Sequence, residues 1–191
     1  MDPLTVALDS PQFNAIISLA EFEPTFAAEH KQIGTEIASL FEHAMTQRLK
    51  YPKIRLLTAT SETVVLRRAG QKSKHTGSIQ ILSEGRYLSN TYFGRIDPLG
   101  NLLPSRSMTA EVLELLGRLA LNPAEVALEY GKLTGHCCFC DRALSDARSL
   151  SHGYGPHCAR VFGLPWLAPR NTHGFFGNVW NEMYGVPAET A

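Results

Sequence analysis

Outside one short stretch the chain has no cysteine: all four lie between Cys137 and Cys158. In a chain that reads as cytoplasmic a stable disulfide is not expected, and four cysteines packed into twenty-two residues are poorly explained by burial. The nucleotide and hydrolase signatures are also missing. There is no Walker loop, no G-x-G-x-x-G and no G-x-S-x-G, so neither a phosphate cradle of those types nor a nucleophile elbow is expected. H-E-x-x-H and the H-x-E…P-C-x-x-C deaminase pattern are absent too. Acidic residues are dispersed, and no set has the spacing of a two-metal site. The opening MDPLTVALDS has no basic region and leads into no long apolar run. No signal peptide, membrane span or membrane partner is expected, and the cytoplasm is the default location.

What is present suffices for a globular core. The 191 residues are 44% hydrophobic, enough for one medium domain with an appendage. The net charge of zero conceals a strong asymmetry. Residues 1–45 carry seven acids against Lys31 alone, a net of −6. Residues 46–75 carry Arg48, Lys50, Lys53, Arg55, Arg67, Arg68, Lys72 and Lys74 against Glu62, a net of +7. That basic segment suits a polyanion, or the acidic segment before it.

Periodicity predicts an α+β fold. Residues 9–27 and 30–49 read as two helices, the second with Ile33, Ile37, Leu40, Phe41, Ala44 and Met45 on one face; Pro24 starts or interrupts a turn and Pro52 stops the second helix near Tyr51. The period then shortens to two. Ile54–Thr58, Thr63–Arg68, Gly77–Leu82 and Tyr87–Phe93 read as a small antiparallel sheet, with turns at Glu84-Gly85 and Pro98–Asn101. In the second run Val64 and Leu66 face one side, Val65 and Arg67 the other. Two helices follow. Thr109 caps one with a stripe of Val112, Leu113, Leu115, Leu116 and Leu119; Asn122-Pro123 opens the next, with Ala124, Ala127 and Leu128 on its apolar side. The expected organisation is a helical segment over 1–52, sheet plus helices over 53–131, and a metal module with an aromatic helical tail over 132–191.

Cys137 and Cys140 form a C-x2-C knuckle, and Cys158 follows after seventeen residues. Gly155-Pro156 starts a short helix, Pro156–Phe162, that presents Cys158 from its N-terminus. This is the arrangement of a zinc-ribbon or treble-clef site, structural rather than catalytic, with Zn2+ as the expected ion. His152, on the loop facing the knuckle, is the preferred fourth ligand. His157, His136 and Cys138 stay open as alternatives. Gly153 and Gly155 supply backbone conformations the loop needs, Leu144 packs beneath the knuckle, and Arg142 and Arg148 read as solvated or as phosphate contacts.

The stretch GHCCFCDRALSDARSLSHGYGPHCA resembles a small cysteine domain of phage and bacterial proteins, of unknown function. Its pattern is approximately G-x-C-x-x-C-G-R-x-L-[ST]-x-x-x-S, then G-[IY]-G-P-x-C. Cys137, Cys140, Arg142, Leu144, Ser149, Gly153, Gly155, Pro156 and Cys158 match it. Asp141 stands where glycine is usual, and Cys138 is extra. The likeness covers about residues 135–165 and implies a zinc-supported module of phage-type proteins, sometimes near DNA-handling domains. For a phage-encoded chain the location becomes the host cytoplasm. It implies no reaction.

The segment LRRAGQKSKHTG is the strongest nucleic-acid candidate. Arg67, Arg68, Lys72 and Lys74 around Gly70 can neutralise phosphates from a flexible hairpin tip. Tyr87, Tyr92 or Phe93 can stack bases. In the tail, Trp166, Phe175, Phe176, Trp180 and Tyr184 read first as core packing and second as a surface for another protein. The leading expectation is therefore a non-enzymatic, zinc-stabilised accessory protein that binds DNA or RNA through phosphates. A factor that binds and modulates a host protein, through the tail or the acidic segment, is the alternative. A metal-dependent nuclease or hydrolase using His152, His157 and Asn171 is the third.

Overall fold

A computed structural model describes the chain over residues 11–85 and 89–166, with side chains from residue 28 onward. The expected tail helix and Asn171 lie outside the described residues. So does Tyr87.

The helices expected over 9–27 and 30–49 are one, α1 (Pro11–Thr46). Proline in a helix interior costs about 3 kcal/mol, yet the helix formers Glu21, Glu23, Ala27, Ala28 and Glu29 flank Pro24 on both sides and the helix runs through it. The helix also stops earlier than Pro52 requires. Arg48 takes a left-handed φ of 65°, with Leu49 N–H bonding the Ala44 carbonyl and Arg48 N–H that of Met45. That pair of bonds is a Schellman ending with arginine in the usual glycine place.

Five strands follow: β1 (Lys53–Leu57), β2 (Thr63–Arg68), β3 (Ile79–Ser83), β4 (Tyr92–Ile96) and β5 (Leu102–Pro104). They form one antiparallel sheet in the order β1-β2-β3-β4-β5. Two expectations are corrected here. Residue 87 precedes β4, which starts at Tyr92, and β5 has no counterpart among the expected strands. The turn before β5 is built as read: Asp97 Oδ1 accepts from the backbone N–H groups of Leu99 and Asn101, at 2.9 and 2.8 Å.

Alternation along the strands gives the sheet two distinct faces. Ile54, Leu66 and Ile81 pair across β1, β2 and β3 and all are buried in the main core. A bulge between Ile81 and Leu82 lets Phe93 join that side, where it too is buried. The opposite face carries the row Lys53, Arg67, Gln80, Arg95 and Leu103, in register across all five strands.

Two helices pack on the inner side. In α2 (Ala110–Leu121) Thr109 Oγ1 accepts from Val112 N–H, and Val112, Leu115, Leu116 and Leu119 are buried. In α3 (Pro123–Thr134) Asn122 caps and Pro123 opens the first turn. Its buried side is Val126, Ala127, Tyr130 and Gly131; Ala127 lies on it as expected and Ala124 packs against the same core, while Leu128 is half-buried. Short helices α4 (Ala147–His152) and α5 (Pro156–Phe162) complete the described chain. One contiguous core runs from Ile37 on α1 to Leu164.

Candidate metal centre and basic groove

The knuckle is a small hairpin hung on the end of α3. Gly135, left-handed at φ 70°, caps that helix. His136 and Ala143 then bridge antiparallel, Cys137 N–H bonds the Arg142 carbonyl, and Asp141 N–H returns to the Cys137 carbonyl at 2.9 Å. The chain then turns back at Asp141, left-handed at φ 63°, which directs the Arg142 carbonyl toward Cys137 N–H. Aspartate is among the few side chains that tolerate this, which explains how it replaces glycine there.

Helix α5 brings the third thiol. Gly155 is its N-cap and Pro156 its first residue, so Cys158 sits in the opening turn as expected. The Sγ atoms of Cys137, Cys140 and Cys158 lie within 4.8 Å of one another. Thiolates bound at ~2.3 Å to a tetrahedral ion stand roughly 3.8 Å apart, so this spacing can hold a metal. The electrostatics agree with the geometry. A hydrogen bond from Cys158 holds the Cys137 thiol well below its usual range; the same bond, with burial, pushes Cys158 up. Metal binding requires these thiols to be deprotonated, and a bound cation offsets the repulsion between thiolates this close together.

His152 is not brought into this group. Among the described residues the cluster consists of the three cysteines. The His152 Nδ1 lies 2.9 Å from the Arg148 carbonyl and 3.1 Å from Ser151 Oγ, and its ring stands 4.9 Å from Trp166 and 5.8 Å from Tyr154. The reason is α4, which replaces the expected loop and turns His152 toward the aromatic residues. His136 and His157 are exposed, near Thr134 and Arg160 respectively. Cys138 is buried in the main core, where desolvation and its cysteine neighbours push its thiol up.

Packing fixes the knuckle to its surroundings. Phe139 stacks on Phe162 at 4.2 Å and meets Tyr154 edge-on at 6.1 Å. Tyr154 donates to the Pro165 carbonyl, and burial pushes its phenol up to about 12. Trp166 packs against the module as read: Arg148 lies 4.5 Å over its ring and donates to its carbonyl. Arg148 is therefore neither solvated nor directed at a phosphate. The knuckle also covers the sheet edge, since Arg55 N–H on β1 bonds the Cys138 carbonyl at 2.8 Å. The Arg55 guanidinium spans Asp141 at 2.8 Å and Glu84 at 3.4 Å.

The four basic candidates separate. Arg68 and Lys72 line a groove of about 580 Å³ at the β2–β3 end of the sheet, together with Lys50, Tyr51, Gly70 and Gln71. No acidic residue lines it among the described residues. Arg67 lies on the outer sheet face instead, its Nε on Gln80 Oε1. Lys74 is exposed and outside the groove. The loop is not a loose tip: Ser73 N–H bonds the Gly70 carbonyl, and Thr76 Oγ1 bonds those of Gln71 and Ser73. Lys50 and Tyr51 are groove residues that the sequence reading misses. Their signal is the basic excess of residues 46–75, which includes Lys50.

Residues 127–163 match the model of a family of unknown function (DUF6011). The match covers most of α3, the knuckle, α4 and α5, and corresponds to a small domain similar to this segment of the chain. No curated protein and no solved structure matches the chain. None of the described helices is long and apolar enough to cross a membrane.

Proposed function

We propose that this chain is a zinc-stabilised, non-enzymatic accessory protein that binds nucleic acid mainly through its phosphates. The observation that carries the reading is the groove lined by Lys50, Arg68 and Lys72 beside an exposed tyrosine, with no carboxylate among its described lining. Three cations without acidic neighbours create a site for a polyanion, and Gln71 and the Gly70 backbone add neutral hydrogen-bonding groups.

Zinc is the ion of choice for three clustered thiolates in a C-x2-C knuckle and helix arrangement. Its role is to pin the knuckle against β1, where the Arg55–Cys138 bond and the Arg55–Asp141 pair begin. The fourth coordination position falls to a donor outside the three-cysteine group. The resemblance to a module of phage and bacterial proteins is consistent with an accessory role near DNA.

A salt series of binding to DNA and RNA tests the reading, with Lys50→Gln/Arg68→Gln/Lys72→Gln beside the parent chain. Removing one cation from a phosphate lowers the salt slope by about 0.7 on single strands and about 0.9 on duplex. A slope reduced by roughly two to three in the variant supports the groove. Absence of binding to every nucleic acid at low salt contradicts the proposal.

A further inference from the structure

We infer that the nucleic acid taken at this end of the sheet is single-stranded, its backbone crossing the row Lys53–Arg67–Arg95 and one base stacking on Tyr51. The inference rests on the phosphate-binding reading above and adds the form of the ligand and a second binding surface.

The row follows from strand register. Lys53 pairs with Arg67, Arg67 with Gln80, and Gln80 with Arg95, and directly paired residues project from the same face of a sheet. With neighbouring strands about 4.8 Å apart, the three cations span roughly 14 Å. None of them has an ion-pair partner among the described residues, where the pairs are Arg55–Glu84, Arg55–Asp141 and Arg118–Glu129. The contrast with Arg55 is informative: on the adjoining row, one arginine has two carboxylates, whereas Lys53, Arg67 and Arg95 have none. Three uncompensated cations in line, with the amide of Gln80 between them, make a track complementary to a chain of phosphates.

The chain itself links the track to the groove, since the groove residues Lys50 and Tyr51 lie just ahead of Lys53. Tyr51 precedes Lys53 by two residues and is 68% exposed, with Lys50 Nζ 5.5 Å from its ring centroid. A large aromatic ring held in the open among cations offers a stacking surface. A duplex cannot use it, because its bases are already stacked on one another; an unpaired base can. Tyr92, 37% exposed, pairs with Leu82 on the next row of the same face, on the far side of the track from Tyr51.

The test uses the full metal-loaded chain, a short oligothymidine strand, and the same strand annealed to its oligoadenine complement. The single strand is expected to bind at least about tenfold tighter than the duplex. Tyr51→Ala should weaken single-strand binding by roughly tenfold without altering the salt slope, because stacking carries no counterion release. Tyr51→Phe should retain the affinity. Lys53→Gln/Arg95→Gln should instead lower the slope by about 1.4. Unchanged helical content and metal content in each variant show that the fold is intact. Equal binding of duplex, or no effect of Tyr51→Ala, overturns this inference and leaves the phosphate-binding reading standing. Failure of both probes to bind overturns this inference, and failure of the corresponding RNA strands as well overturns the phosphate-binding reading with it.

Discussion

Gly131 and Gly153 meet backbone to backbone: a Cβ added to Gly131 would stand 2.4 Å from the Cα of Gly153. The approach lets α4 and the start of the second ligand segment lie directly on α3, which in turn leads into the knuckle. At Gly153 two demands coincide. Its φ is +77°, and a Cβ there would lie 2.1 Å from the Ala127 carbonyl oxygen and 2.5 Å from the Leu128 Cα.

The two glycines of the G-Y-G motif should therefore respond differently to alanine. Gly153→Ala combines left-handed strain with a clash against backbone that cannot rotate away, and should cost about 3 kcal/mol or more. Gly155 has an extended φ of −91°, and its added Cβ would meet Ser149 Oγ at an ordinary 3.8 Å. Gly155→Ala should cost less than about 1 kcal/mol. Chemical denaturation of the two variants checks the contrast, and equal losses would contradict it. From sequence both glycines are expected to have a conformational role; only Gly153 has one.

Asp141 tests the knuckle from the other side. Its left-handed conformation favours glycine, while its carboxylate pairs with Arg55. The pair is half exposed on the aspartate side, so it is worth less than about 1 kcal/mol. Asp141→Gly should be nearly neutral, relief of strain offsetting the lost pair. Asp141→Ala keeps the strain and loses the pair, and should cost about 1–2 kcal/mol. Thermal unfolding of both variants decides, and a larger loss for glycine than for alanine would contradict the account.

Asp146 gives a pH dependence with a defined sign. Its carboxylate caps α4 by accepting from Ser149 N–H at 2.8 Å, and hydrogen bonding with Ser149 holds its pKa below the usual value. A depressed carboxylate contributes stability above the ordinary range near 4, and that contribution is lost as pH falls through the lowered value. Asparagine caps a helix comparably without titrating. Asp146→Asn should leave the midpoint of unfolding near pH 7 little changed and make its decline toward about pH 3 shallower. Parallel pH profiles would contradict this.

The legible parts of this chain are those set by local chemistry. Thr109 and the Asn122-Pro123 pair mark helix starts, alternation in TVVLRR marks its two faces, and Pro156 ahead of Cys158 places the third thiol in a first helical turn. The missed parts depend on pairing across distance or on competing local signals. Strand β5 is three residues ending in proline, too short for a period to register. Helix α4 lies within a segment that reads as loop, and its presence moves His152 away from the sulfurs. Arg95 joins Lys53 and Arg67 only through the register of four strands, which no sequence window contains. The end of α1 depends on an arginine adopting a conformation that composition assigns to glycine.

Everything proposed for the C-terminal module depends on a metal held by Cys137, Cys140 and Cys158 that fastens the knuckle to the sheet. The decisive measurement is elemental analysis of the purified full chain, with Cys137→Ser and Cys158→Ser analysed in parallel. The prediction is about one zinc per chain in the parent and a large loss in both variants, as expected where metal binding and folding are linked. A parent chain that carries no metal, and unfolds at the same temperature before and after chelation, would contradict the claim.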